Sequence, residues 1–169
     1  MTAPPYRFCP QCGGRLAPRR LRPAEPARLV CGSCGFVFYL DPKVATGAIL
    51  PLDGGIVLVQ RAIPPSYGKW VFPGGYVDRG ETPEEAAVRE AREECGLEVK
   101  VTRLVGLYAY PGNAVILTVY AGEVIGGRLA IDEESLAVQV FSPAALPWAE
   151  LAFPSTSAAT RGRPRRSSR

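Results

Sequence analysis

The sequence predicts an α/β protein, a layered sandwich on a mixed sheet, preceded by a small four-cysteine module. Three observations carry this. β-branched and aromatic runs recur on both sides of one well-marked helix, and such strands and helices bury their apolar faces as layers. Four of the five cysteines fall within residues 9–35, in two C-x2-C pairs. The 169 residues suit one ordinary domain plus a small appendage.

Residues 1–8 read as a loose lead. Cys9-Pro-Gln-Cys12-Gly and Cys31-Gly-Ser-Cys34-Gly follow, with 18 residues between the pairs. Each tight turn presents two thiolates to one point, and four complete the closed tetrahedral shell of structural Zn2+. Residues 1–36 are therefore expected to be a four-cysteine zinc ribbon, with Cys9, Cys12, Cys31 and Cys34 as ligands and no open position for catalysis. The metal would fold a module too small for a core of its own. A redox pair or a disulfide is the alternative, and a reducing compartment disfavours the disulfide.

Strand-like runs follow at Phe36–Leu40, Val44–Leu50 and Ile56–Gln60, the last two joined by Asp53-Gly54-Gly55, a hairpin signal. Ala62–Lys69 is a Pro/Gly loop, and Trp70–Phe72 leads into Pro73-Gly74-Gly75. The helix runs from Pro83 to Cys95. Thr82 suits the N-cap, Glu85 the reciprocal partner of a capping box, and Gly96 the stop. Val88, Ala91 and Cys95 share a face expected to pack on the sheet, which makes Cys95 a small buried residue rather than a nucleophile. Strands at Val99–Tyr110, Val115–Val124 and Ala137–Phe141 complete a domain over residues 37–155. Residues 156–169 read as a disordered Arg-rich tail.

The chain contains no histidine, which excludes a Ser-His-Asp triad, a His-ligated metal and an imidazole base; acid–base work falls to other groups. No apolar run is long enough to span a bilayer, and the first residues lack a signal-peptide core, so a cytoplasmic protein is expected. The net charge of +4 owes much to five arginines in residues 161–169. A solvated tail is the plain reading of them, and contact with a polyanion the sharper one.

Residues 75–97 hold seven acids and three arginines. Glu90, Glu93 and Glu94, at i, i+3 and i+4, share a helix face. Crowded carboxylates repel unless a cation neutralises them, and hard oxygen ligands suit Mg2+ or Mn2+. Taken alone, the helix reads rather as a solvated one with ion pairs such as Glu85–Arg89 and Arg89–Glu93. The whole order Gly75-x5-Glu81-x7-Arg89-Glu90-Ala91-x-Glu93-Glu94-x-Gly96-Leu97, however, resembles the signature of the Nudix hydrolases. That resemblance implies an α/β/α sandwich in which Glu90, Glu93, Glu94 and the Gly75 carbonyl hold Mg2+ or Mn2+. Arg89 would orient Glu90 or pair with Glu81. The general base would be Glu93 or a downstream acid, Glu133 or Glu134. Divalent ions would neutralise diphosphate oxygens and ready a water for attack.

A ribbon placed before such a domain is similar to the layout of NADH pyrophosphatases and of a smaller group that includes FAD and ADP-ribose pyrophosphatases. The segment Leu146-Pro147-Trp148-Ala149-Glu150-Leu151-Ala152-Phe153-Pro154-Ser155 keeps Trp, Phe-Pro and Ser of the NADH enzymes' array at wider spacing and lacks its Ser-Gln, which favours the smaller group. Pro111 lies near a proline that marks ADP-ribose pyrophosphatases, and is equally an ordinary turn residue. Among Tyr67, Trp70, Phe72, Tyr108 and Tyr110, Trp70 and Tyr108 are the candidates for stacking on a flat ring. Arg61 and Lys69 are the candidates for phosphate oxygens.

The resemblance thus implies a Mg2+-dependent pyrophosphatase that splits FAD, ADP-ribose or NAD(H) into AMP and a second monophosphate, with a homodimer built through the ribbon as one arrangement. Removal of nucleotide caps from RNA is a related reading. A binding module, with ribbon and tail holding nucleic acid, is the competing class, and a triphosphatase acting on damaged nucleotides a third. Intact glutamates argue against the binding module.

Overall fold

In the computed structural model, residues 6–161 are described, and the chain divides into two compact units between Asp41 and Pro42. The first holds a three-stranded antiparallel sheet, β1 (Leu16–Arg19), β2 (Arg28–Cys31) and β3 (Val37–Phe38), in that order. Its small core gathers Cys9, Leu16, Leu29 and Cys31, with Phe36 and Phe38 against them. The expected boundary at residue 36 therefore moves. Val37 pairs with Val30 and Phe38 with Leu29, so the run expected to open the second domain closes the first sheet.

The second unit has two sheets. One is mixed, with β4 (Lys43–Ile49) parallel to β9 (Val115–Gly127) and β9 antiparallel to β8 (Leu97–Ala109). The other is antiparallel: β6 (Gly55–Arg61) lies between β10 (Ser135–Phe141) and β5 (Pro51–Leu52) and also pairs with β7 (Trp70–Val71). Alternation along the strands separates two cores. Val57, Val59 and Tyr120 face Ala87, Ala91 and Cys95 of α1 (Pro83–Cys95). Leu58, Val119 and Tyr108 face Ala158 and Ala159 of α2 (Pro154–Thr160). Helices thus cover both faces, the α/β/α layering that the sequence implied.

Two expectations change here. The segment assigned to the tail begins inside α2, in which Thr156, Ala158 and Ala159 are buried; small side chains let this helix sit close on the sheet. Of the tail, residues 162–169 lie outside the described residues. Val88 is 37% exposed rather than packed on the sheet. The buried residues of α1 are Ala86, Ala87, Ala91 and Cys95, an arc centred near Glu90 and Glu94, and this leaves Val88 on its rim. Among the described residues no helix is long and apolar enough to cross a membrane.

Candidate active site

The site starts from the capped helix. The Thr82 hydroxyl accepts the Glu85 N–H at 3.2 Å, and the Glu85 carboxylate accepts the Thr82 N–H at 2.7 Å, which holds the Glu85 carboxyl below its usual range. At the other end Gly96 takes φ 70°, a left-handed conformation that a side chain would strain. The helix then projects its acids toward the loop 73–77, which is tied to β4. Thr46 N–H donates to the Gly75 carbonyl (2.8 Å), Ala48 N–H to Pro73 (3.0 Å) and Val77 N–H to Val44 (3.0 Å). Position 74 of that loop requires glycine. A Cβ at Gly74 would strike the Thr46 backbone, and one at Gly75 would strike the Glu90 carboxylate.

Arg89 is the hub. Its guanidinium grips both oxygens of Glu81 (2.9 and 3.0 Å) and donates to Glu90 (2.8 Å), Glu93 (2.9 Å) and the Tyr76 carbonyl (3.1 Å). Its charge is reinforced, above all by the Glu81 hydrogen bond, and Glu81 is held below the normal carboxylate range by Arg89. Arg89 thus engages both partners that the sequence proposed as alternatives. Glu94 accepts the Gly74 N–H at 2.7 Å. Burial nevertheless pushes its carboxyl up to about 7, with Glu90 and Asp132 adding repulsion. Burial raises Glu90 too, against the pull of Arg89 and with repulsion from Glu93 and Glu134.

Half-buried carboxylates in an acidic field are what a divalent cation would hold in the charged form, and their hard oxygens suit Mg2+ or Mn2+. The donor set therefore fits the expected metal. The glutamates do not converge as tightly as the sequence suggested, because Arg89 and the Gly74 N–H engage them individually. Among the described residues, only the four cysteines bring three or more ligand atoms within 4.8 Å of one another.

The Cys12 sulfur lies 3.5 Å from that of Cys31 and 3.3 Å from that of Cys34, and Cys9 lies 3.8 Å from Cys34. Four bonds of ~2.3 Å around a tetrahedral zinc give S···S edges of about 3.8 Å. The Gln11 and Ser33 N–H groups reach Cys9 and Cys31 sulfurs at 3.4 Å. Backbone N–H groups, led by that of Cys34, lower the Cys31 thiol to about 6, while at Cys12 the Gly14 N–H is outweighed by the neighbouring sulfurs, which raise that thiol to about 12. All five cysteines are free thiols, and the four of the ribbon gather at one point. Cys95 is fully buried, donates to the Ala91 carbonyl, and has its thiol raised to about 11 by burial, so it is an inert packing residue.

A cavity of about 350 Å³ lies beside Gly74 and Gly75. Arg61 and Tyr108 line it, as do Phe72, Tyr76, Tyr110 and Phe153. Lys69 and Trp70 are not among its lining residues. Lys69 is held by Glu150 at 2.6 Å, and Trp70 packs edge-on against Phe141 with ring centroids 4.8 Å apart. Tyr67 is exposed. The Arg61 guanidinium sits 5.4 Å from the Phe153 ring centre and donates to Pro65. Pro111 begins the turn after β8, closed by the Asn113 N–H to Tyr110 carbonyl bond (3.0 Å), and both ends of that turn reach the cavity. The sequence reading did not single out Asn113, Tyr76 or Asp132; each is an isolated loop or turn residue without a periodic signal.

Residues 41–160 match the NUDIX domain family, and residues 7–40 match the Nudix N-terminal zinc-ribbon family. The chain is 41% identical over 119 residues to an ADP-ribose pyrophosphatase of Methanocaldococcus jannaschii, covering 68% of this chain and 69% of that one. It is 31% identical to an NAD-capped RNA hydrolase of Vibrio atlanticus, covering 83% of this chain and 51% of that one. It therefore spans about half the length of that hydrolase. Among solved structures, a NUDIX hydrolase of Nitrosomonas europaea aligns with a TM-score of 0.88 at 29% identity, over 92% of this chain and 89% of that one. An ADP-ribose pyrophosphatase from Streptococcus suis aligns at 0.59 and 27% identity, over 74% and 95% of the two chains.

Proposed function

The chain belongs to the Nudix hydrolase family, and on that premise we propose that it is a Mg2+- or Mn2+-dependent pyrophosphatase acting on a dinucleotide-like substrate, with ADP-ribose the leading case and FAD and NAD(H) behind it. One observation carries the reading: half-buried Glu90 and Glu94 sit against Gly74 and Gly75 at the edge of an aromatic-lined cavity. At about 350 Å³ that cavity lies at the low end of ligand pockets, the size for one nucleoside end rather than a whole dinucleotide. The identity to an ADP-ribose pyrophosphatase supports the order of substrates.

Glu90, Glu93, Glu94 and the Gly75 carbonyl would hold the ions; Thr46 N–H occupies one lone pair of that carbonyl and leaves the other. Bound there, the ions would supply charge neutralisation of the diphosphate and a readied water. Tyr108, Tyr110 and Phe153 receive the ring, and Arg61, beside Glu94, meets phosphate oxygens. Arg89 is a positioning residue that fixes Glu90 and Glu93. Water attacks phosphorus, the anhydride P–O bond breaks, and a carboxylate, Glu93 or Glu134, takes the water's proton. ADP-ribose plus water thus gives AMP plus ribose 5-phosphate. The ribbon would carry Zn2+ in a structural role.

A hydrolysis panel tests this: ADP-ribose, FAD, NADH, NAD+ and nucleoside triphosphates with Mg2+, products separated by chromatography, and Glu93→Gln as control. AMP with the matching monophosphate is expected. Pyrophosphate release from triphosphates alone would instead mark a triphosphatase. The identity to an NAD-capped RNA hydrolase favours a second reading, cleavage of an NAD cap. An NAD-capped oligoribonucleotide in the same panel decides it, with a 5′-monophosphorylated RNA as the product.

A further inference from the structure

Charge is divided sharply between the two units. Residues 6–41 hold six arginines, no lysine and two acids, a net of +4, whereas residues 42–161 hold ten bases and fourteen acids, a net of −4. Zinc on four thiolates would leave the ribbon at +2. The arginines are organised by the sheet. Leu16, Leu29, Cys31 and Phe38 point into the ribbon core. Alternation puts Arg15, Arg19, Arg28 and Tyr39 on the opposite face. Phe8 bridges Arg15 there, and the Arg15 guanidinium lies 5.8 Å from its ring centre. The Arg28 guanidinium lies 5.3 Å from the centre of Tyr39.

Two features of this face have no explanation within the ribbon. Arg19 and Arg28 stand directly opposite each other across β1 and β2, a like-charge pair that opposes strand pairing. Arg28 Nε is buried and has no hydrogen-bond partner among the described residues. An anion on this face relieves the like-charge pair. The rings of Phe8 and Tyr39 are 59% and 54% exposed, open to a further stacking partner. Arg15 and Arg19 are about 13 Å apart along the strand, a span that fits an extended chain.

We propose that this face of the zinc ribbon binds single-stranded RNA, with Arg15, Arg19 and Arg28 on phosphates and Phe8 and Tyr39 stacked on unpaired bases. Arginine beside an exposed aromatic ring is the pairing that reads unpaired bases, which neither a duplex nor a lipid headgroup offers. The inference goes beyond the hydrolytic reading and does not depend on it.

The test is fluorescence anisotropy of the zinc-loaded full chain with a labelled oligouridylate over a salt series. Arg19→Gln with Arg28→Gln weakens binding tenfold or more and flattens the log–log salt slope by about 1.4. Tyr39→Ala weakens it about tenfold with the slope unchanged. Arg22→Gln, the single charge loss that matches Arg19→Gln but lies in the loop between β1 and β2, changes affinity less than twofold. These effects persist when residues 162–169 are removed, and ADP-ribose turnover stays unchanged throughout. If the double variant loses zinc, Arg19→Gln alone carries the test, since Arg19 is exposed. The proposal is overturned if Tyr39→Ala and Phe8→Ala bind as wild type, or if Arg22→Gln costs as much as Arg19→Gln. It is equally overturned if removal of residues 162–169 alone abolishes binding, or if duplex RNA or phosphatidylserine vesicles bind as tightly as the oligouridylate.

Discussion

The four cysteines of the ribbon and the three glutamates of α1 are two candidate metal sites built in opposite ways. The sulfurs lie within 4.8 Å of one another, gathered by two tight turns. The glutamates share a helix face, yet Arg89 engages Glu90 and Glu93 while the Gly74 N–H engages Glu94. Thiols are neutral when protonated and assemble without an ion, whereas neighbouring carboxylates repel and must be held by donors. The closed cluster suits a metal that stays. The divided one suits ions that arrive and bridge protein to phosphate.

The sharpest way to break this contrast is Glu93→Gln. An amide keeps the shape and loses the charge, so kcat on ADP-ribose is expected to fall ~1000-fold or more with the melting temperature unchanged. Turnover near wild type would show that the divided site is not the catalytic one. Next in size is zinc removal, by chelation or by Cys31→Ser. Hydrogen exchange is expected to report loss of protection across residues 6–41, while residues 42–161 keep theirs. Equal protection in both states would deny that metal holds the ribbon together.

A smaller effect tests the hub. Arg89→Lys keeps the charge and loses the fork on Glu81, so the Mg2+ concentration for half-maximal activity is expected to rise roughly 10- to 100-fold. An unmoved metal titration would mean that the glutamates position themselves. The smallest effect is on acid stability. Glu81 is held below the ordinary 4.5 in the folded chain, so its contribution is present above that pH and is lost as pH falls through the lowered value. In acid melts, Glu81→Gln is expected to remove part of the stability lost below about pH 4.5. An acid limb identical to wild type would show that the Arg89–Glu81 pair adds nothing to stability.

What the sequence disclosed follows from how local each signal is. Thr82, Glu85 and Gly96 act within one turn of the helix ends, and all three sit as their residue types demand. The cysteine turns are equally local. The register between β2 and β3, which moves the boundary from 36 to Asp41, depends on pairing across a turn that periodicity does not weigh. Val88 departs from its expected place for a related reason. The apolar stripe marks a face, but the small alanines and the half-buried glutamates set which part of that face meets the sheet. The cavity was least legible, because Arg61, Tyr108 and Phe153 meet only through tertiary packing. Lys69 and Trp70, nearer the Gly75–Leu97 motif in sequence, are drawn off by Glu150 and Phe141.

The cavity wall also has a consequence in time. Every lining residue from Ala45 to Leu117 precedes Phe153, Pro154, Ser155 and Thr156 by at least 36 positions. During synthesis from the N-terminus, the capped helix and its acids leave the ribosome well before the last panel of the wall exists. A nascent chain can therefore present its acidic helix early and still lack the enclosure for a ring.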